Sequence, residues 1–323
     1  MFRPPVRYSL LAILGAGVLL PQPTVFRTKV DLVHVVASVK NQAGELVEAL
    51  QKDDFEVLDN GVRQEVTYFE RQTEQPLSVV LLIDTSGSTN KDLKYETDSA
   101  AKFFHALLSE GNPQDAVALY SFNDGVREEH GFTHNYASLE ARLRLLHGSA
   151  GTSLYDAIYL GAKALDNRNG RKVIVVISDG GNTTSSVDIH AALKEAQFAE
   201  AVLYPVVVMP ITNLAGRNTA GEHALTFMAQ GTGGRTFFPG AGKLDQVFAD
   251  IILELRTQYL LGFYPQNVPL TKDPFHKLTV RVKNPDLRVS ARSGYYGEAE
   301  GAAGSPDAQT TVSPNGRKKR SEQ

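Results

Sequence analysis

The chain has 323 residues, of which 42% are hydrophobic and 21% charged, with a formal net charge of -3. That balance supports a buried core and a length sufficient for two domains, and it offers no basic excess of the kind a nucleic-acid partner requires. Cysteine is absent, which excludes disulfides, thiolate metal sites and cysteine-linked lipid anchors.

In chain order, "MFRPPVRYSLLAILGAGVLLPQP" places Arg3 and Arg7 ahead of an apolar stretch from Leu10 to Leu20, with Gly15, Ala16 and Gly17 towards its end. The stretch is shorter than the ~20 residues of a spanning helix. Residues 1–23 therefore read as a signal peptide of a secreted or periplasmic protein, with an uncleaved N-terminal anchor as the alternative and the one route to a membrane. Residues 24–75 alternate apolar and polar side chains, as in "VDLVHVVASVK" and "FEVLDNGVRQEVTYFE". This is a β pattern, and Asn60-Gly61 between two such runs is a hairpin signal.

From 76 to 256 the pattern changes. Short apolar runs at 78–83, 116–122, 172–178 and 203–209 predict buried parallel strands. Between and after them, helical periodicity covers 92–109, 138–146, 153–165, 187–199 and 243–258. The alternation implies an α/β domain with a doubly wound, mainly parallel sheet and helices on both faces, whose ligands bind beyond the carboxyl ends of the strands. From 257 to 297 the β pattern returns in "YLLGFYP", "HKLTVRVK" and "LRVSARSGYYG". Each β segment is too short to bury a core alone, so the two are expected to pair into a small β-sandwich with the α/β domain inserted between them; two separate modules are the alternative. Residues 298–323, rich in Gly, Ala, Ser, Pro and charge, read as a disordered tail.

Within the α/β segment, the first buried run ends in "DTSGS". Asp84, Ser86 and Ser88 thus present oxygens from the end of a strand. Thr152 lies in a Gly-rich loop that opens a helix, and Asp179 directly follows another central strand. If the topology holds, all five meet at one crevice. Oxygen donors without His or Cys suit a hard divalent cation, Mg²⁺ first, with Mn²⁺ or Ca²⁺ as alternatives. With Ser86 and Ser88 in contact with the ion and the carboxylates behind water, the ion would stay electrophilic and attract an outside carboxylate. The competing reading is that Asp84 and the serines cap a helix or satisfy a turn.

Asp84-x-Ser86-x-Ser88, Thr152 in "GTS" and Asp179 in "SDG" resemble, in chain order, the metal-ion-dependent adhesion site of the von Willebrand factor A family. "SFND", "GTSLYDAI" and "GTGGRTFF" are also similar to that family, and the flanking β segments resemble a bacterial extracytoplasmic subgroup of it. The resemblance implies a non-catalytic module that binds a protein partner presenting a carboxylate. It further implies that Ser86 and Ser88 are direct ligands, Thr152 a direct ligand in one state, and Asp84 and Asp179 largely water-mediated. Thr89 stands where close relatives often have Met and is expected to affect packing, not the metal; Lys91 ahead of Asp92 speaks against a second metal.

Alternatives are a metal-dependent hydrolase or a structural α/β domain whose site is unused. The sequence contains neither a Gly-x-Ser-x-Gly elbow nor a phosphate-binding loop. Asp156 is expected to favour the amino end of its helix, and Tyr155 to sit at the rim or in the core. His130 and His134 do not form a helical zinc pair. The last helix runs directly into the returning β segment, where its movement would couple the site to the β-sandwich.

Overall fold

In the computed structural model the alternating segment before residue 75 forms β1 (Val33–Lys40), β2 (Phe55–Asp59), β3 (Val62–Gln64) and β4 (Tyr68–Arg71). Period-two burial is clearest in β2, where Phe55, Val57 and Asp59 are buried and the residues between them only half-buried. Asn60 and Gly61 close β2 onto β3 at φ of 46° and 83°, the positive pair that a two-residue hairpin turn requires. The structure describes residues 32–71, 75–89, 92–208, 218–240, 242–269, 272 and 274–297. The expected signal peptide and tail, and Lys91, lie outside these residues.

The α/β segment follows as β5 (Leu77–Asp84), α1 (Leu93–Glu110), β6 (Ala116–Phe122), β7 (Val126–Thr133), α2 (Tyr136–Leu143), α3 (Leu154–Leu165), β8 (Arg171–Ser178), α4 (Ile189–Phe198), β9 (Ala201–Val207), α5 (Thr219–Thr232) and α6 (Leu244–Arg256). Its sheet has the order β7-β6-β5-β8-β9. Strand β5 pairs in parallel with both β6 and β8, and β8 with β9, while β7 is an antiparallel edge. Every residue of β5 is buried. Val79, Leu81 and Ile83 enter the core shared with α1, α2 and α6, whereas Val80 and Leu82 enter the one shared with α3, α4 and α5. Because the chain leaves β5 for β6 on one side and later returns to β8 on the other, the carboxyl end of β5 is a topological switch point.

Strands β10 (Tyr259–Phe263), β11 (Phe275–Val282), β12 (Arg288–Ala291) and β13 (Gly294–Tyr296) complete the fold. They interleave with the first four as two antiparallel sheets, β12-β1-β10-β4 and β13-β11-β2-β3. Val35, Val57, Tyr259, Phe263 and Leu278, drawn from both segments, share one core. The two β segments thus form the sandwich that the fold class implied.

Helix α5 is not among the helices expected from the sequence. Its buried face is made of small and polar residues, Gly221, Glu222, Ala229, Gly231 and Thr232, with only Leu225 and Met228 as large apolar groups, so its hydrophobic period is faint. The small face has a steric cause: a methyl group on Gly221 would collide with the carbonyl of Gly180. Asn218 seals the contact, its Oδ1 accepting from Gly221 N at 3.0 Å and its Nδ2 donating to Gly180 O at 3.0 Å. On an open helix face Gly→Ala stabilises by ~1 kcal/mol. Here Gly221→Ala is expected to destabilise by about 1–3 kcal/mol through overpacking, measurable as a lowered Tm; an unchanged or raised Tm would show that α5 does not sit against Gly180.

Candidate metal centre

The site begins where β5 runs out of sheet partners. Asp84 is fully buried; its Oδ1 accepts from Ser86 N at 2.9 Å and its Oδ2 from Ser178 Oγ at 2.6 Å. Thr85 continues the strand for one step. Its N–H donates to Phe122 O at 2.8 Å, and its own carbonyl accepts from Ser149 N at 2.9 Å. The loop then curls back through Thr89, whose buried hydroxyl lies 2.9 Å from Asp84 O and 3.1 Å from Ser86 O. Thr89 therefore ties the loop closed through its hydroxyl. In that loop the hydroxyls of Ser86 and Ser88 stand 3.1 Å apart, with Ser86 buried and Ser88 exposed.

The second half of the site is assembled by the end of β8 and the start of α3. Asp179 Oδ1 accepts from Gly181 N at 2.8 Å. A methyl group placed on Gly181 would lie 3.0 Å from that same Oδ1 and 3.6 Å from Thr152 Oγ1, so Thr152 and Asp179 flank one glycine. Their loops are bonded together along their length. Thr152 O accepts from Thr183 N and Thr184 N at 2.8 and 3.1 Å, and Thr152 N donates to Thr183 Oγ1 at 3.0 Å. The first N–H groups of α3, from Tyr155 and Asp156, are met by Ser185 Oγ at 3.0 and 3.3 Å. Such groups lack partners inside a helix.

Asp156 returns the favour, accepting from Ser186 N and Val187 N at 2.9 Å. It therefore holds a neighbouring loop as well as sitting in the first turn of α3. Tyr155 packs half-buried against the core. His130 and His134 diverge, their Nδ1 atoms bonding Gly131 O and Asp115 O respectively.

One residue escaped the sequence reading. Glu96 lies one turn into α1, fully buried, and neither of its carboxyl oxygens has a hydrogen-bond partner. Burial pushes its carboxyl up to about 8, assisted by the negative charges of Asp84, Asp92 and Asp179. Burial also raises Asp84, to about 6, against the hydrogen bonds from Ser178 and Ser86. The signal was present in the sequence: Glu96 occupies the same helical stripe as buried Leu93, Ala100 and Phe103, where a carboxylate is out of place unless something answers its charge.

These residues fit a hard divalent cation. Two neighbouring ligands of an octahedral ion with bonds of ~2.1 Å lie about 3.0 Å apart, close to the 3.1 Å between Ser86 and Ser88 hydroxyls. Buried Asp84 and orphaned Glu96 would gain a counter-charge. Among the described residues no cluster of three or more His, Asp or Glu side chains suits a metal, so a cation here depends on the hydroxyls.

A family model described as the von Willebrand factor type A domain matches residues 79–182, a span that takes in all five expected site residues. Among solved structures, the chain is similar to an aerotolerance-related membrane protein from Bacteroides fragilis, at 20% identity and a TM-score of 0.45 over 55% of this chain and 98% of that one. It is likewise similar to the von Willebrand factor domain of a type V pilus tip protein from Porphyromonas gingivalis, at 15% identity and a TM-score of 0.46 over 55% and 94%. A third similarity is to the pilus adhesin SpaC from Lactobacillus rhamnosus GG, at 10% identity and a TM-score of 0.47 over 76% and 47%. Comparison with curated proteins gives no significant match.

The state of Glu96 has a measurable signature. Its carboxyl in the folded protein titrates near 8 against 4.5 ordinarily. Between those values the unfolded chain loses the proton that the folded one keeps, so metal-free stability falls as pH rises through this window. Glu96→Gln should flatten the decline of Tm between pH 5 and pH 8. Parallel slopes for the two proteins would show that Glu96 is not buried as an acid.

Proposed function

We propose, from a chain that carries a von Willebrand factor type A domain over residues 79–182, that the protein is an extracytoplasmic binding module which recognises an acidic residue of a protein partner through a divalent cation, Mg²⁺ first. The observation that carries this reading is the pair of hydroxyls of Ser86 and Ser88, 3.1 Å apart just past the carboxyl end of the central strand; Thr152 and Asp179 flank Gly181 at the end of the neighbouring strand.

The division of labour among the residues supports binding. Ser86, Ser88 and Thr152 offer neutral oxygens, while Asp84 is held behind them by Ser86 N–H and Ser178 Oγ–H. A cation held by such a set supplies an electrophilic centre that keeps most of its charge. A partner carboxylate ~4 Å away would then gain about 4 kcal/mol per unit charge at an effective dielectric of ~20. Exposed Ser88 leaves the approach open to solvent. Both oxygens of Asp84 are engaged, by Ser86 N–H and by Ser178 Oγ–H, which weighs against Asp84 as a free general base. The basic and apolar N-terminal sequence supports export, and no helix among the described residues is long and apolar enough to cross a membrane.

Calorimetric titration with Mg²⁺ or Mn²⁺ tests the centre. Wild type is expected to bind one ion, and Asp84→Ala and Ser86→Ala to bind at least ~10-fold more weakly, a loss of about 1.4 kcal/mol or more. Equal heats from all three would remove the cation from the site. Capture of a partner from the extracytoplasmic fraction should need Mg²⁺, be reversed by chelation and fail with Asp84→Ala; capture indifferent to all three would place recognition elsewhere.

A further inference from the structure

At the opposite ends of the strands from Ser86 and Ser88, a cavity of about 80 Å³ lies between the α/β layer and the β-sandwich. Its lining includes Arg171, the first residue of β8, and Arg292, in the link between β12 and β13, together with Lys172, His34, Gln258 and Glu200. Both arginines are more than nine-tenths buried, at 6% and 8% exposure. In both, the guanidinium Nε–H has no hydrogen-bond partner.

The charges around the cavity do not balance. Arg171 donates to the neutral Gln258 side chain, and among the described residues no carboxylate forms an ion pair with it. Arg292 donates to His34 O and meets Glu200 at 3.3 Å. Lys172 bonds the carbonyl of Asp166 at 3.2 Å. Glu200 is thus the single acid among three cationic side chains in the lining. Asp115 and Glu70 act on Arg171 without an ion pair; a buried guanidinium lacking a direct carboxylate partner is costly, and an unmade N–H bond adds to that cost. Burial lowers both guanidinium groups from their ordinary range, Arg171 to about 10, which leaves it charged at neutral pH.

We propose that this cavity binds a small inorganic oxyanion of the phosphate or sulfate class, held by the positive charge of the Arg171 and Arg292 guanidinium groups in its lining. A water takes ~30 Å³ in the liquid, so the space suits one tetrahedral oxyanion or a few waters. Guanidinium groups are matched in geometry and charge to such oxygens. The occupant would join the start of β8 to the β12–β13 link and so strap the two layers together. This site is separate from the metal centre and does not depend on it.

Metal-free protein is titrated with inorganic phosphate and with sulfate, and its Tm is followed against chloride at matched ionic strength. Wild type should bind one oxyanion by calorimetry and show a saturable rise in Tm beyond the chloride control. Arg171→Met and Arg292→Lys should each bind at least tenfold more weakly, and Arg63→Gln, on the exposed face of β3, should bind like wild type. No calorimetric binding, or a Tm rise no larger than that with chloride, overturns the proposal in the wild-type protein alone, whether or not a variant folds. Undiminished binding by either folded variant overturns it as well.

Discussion

A carboxylate is buried at the end of a strand that is itself covered on both faces, and the surroundings of the site follow from that one constraint. Asp84 cannot reach solvent, so its oxygens are met by Ser86 N–H and Ser178 Oγ–H. The first of these sets the turn that carries the two serine hydroxyls; the second ties the end of β5 to the end of β8, beside Asp179. Glu96 adds a second buried acid from α1. Two acids in low dielectric are unfavourable unless protons or a cation offset them, so the arrangement that raises both carboxyls also makes a cation welcome.

At the far end of the same sheet, polar groups do a different task. Glu254, near the end of α6, accepts from Lys40 Nζ of β1 and from Arg235 Nε, both at 2.7 Å. Tyr204 OH of β9 lies 3.3 Å from it. Gln258, two residues past α6, donates to Ser38 Oγ at 3.2 Å and to Tyr204 OH at 2.9 Å, and accepts from Arg171. These bonds reach across from the α/β layer to β1. Removing one member would leave others buried and unpaired, which makes the α6–β10 passage stiff. A shift of α6 would therefore be felt directly by the sandwich.

Much of this was legible in the sequence, for local reasons. The runs at 78–83, 116–122, 172–178 and 203–209 match β5, β6, β8 and β9 closely because strands buried on both faces must be apolar throughout. Asp84 at the end of β5, Asp179 just past β8 and Thr152 just ahead of α3 lie where the local pattern put them, because strand ends and helix starts are fixed by nearby residues. What escaped depended on distant neighbours. Helix α5 owes its small face to the backbone of Gly180, and β7 carries Arg127, Glu128 and Glu129 in succession because it is an edge. The apolar stripe of α1 marks Glu96 as buried, but the lack of partners for its oxygens, and the lining of one cavity by Arg171 and Arg292, depend on packing.

The interleaving of the two β segments bears on the order in which the molecule is made. Strand β1 finds its partners in β10 and β12, with Val33 opposite Phe263 and Lys40 opposite Arg288. The partners of β1 follow the whole α/β segment in the chain, so β1 lacks them at a stage when the α/β layer already has every strand of its own sheet. Closing so long a loop becomes less costly once the intervening residues have collapsed into a domain. Folding of the α/β layer thus favours the sandwich by bringing its two halves together.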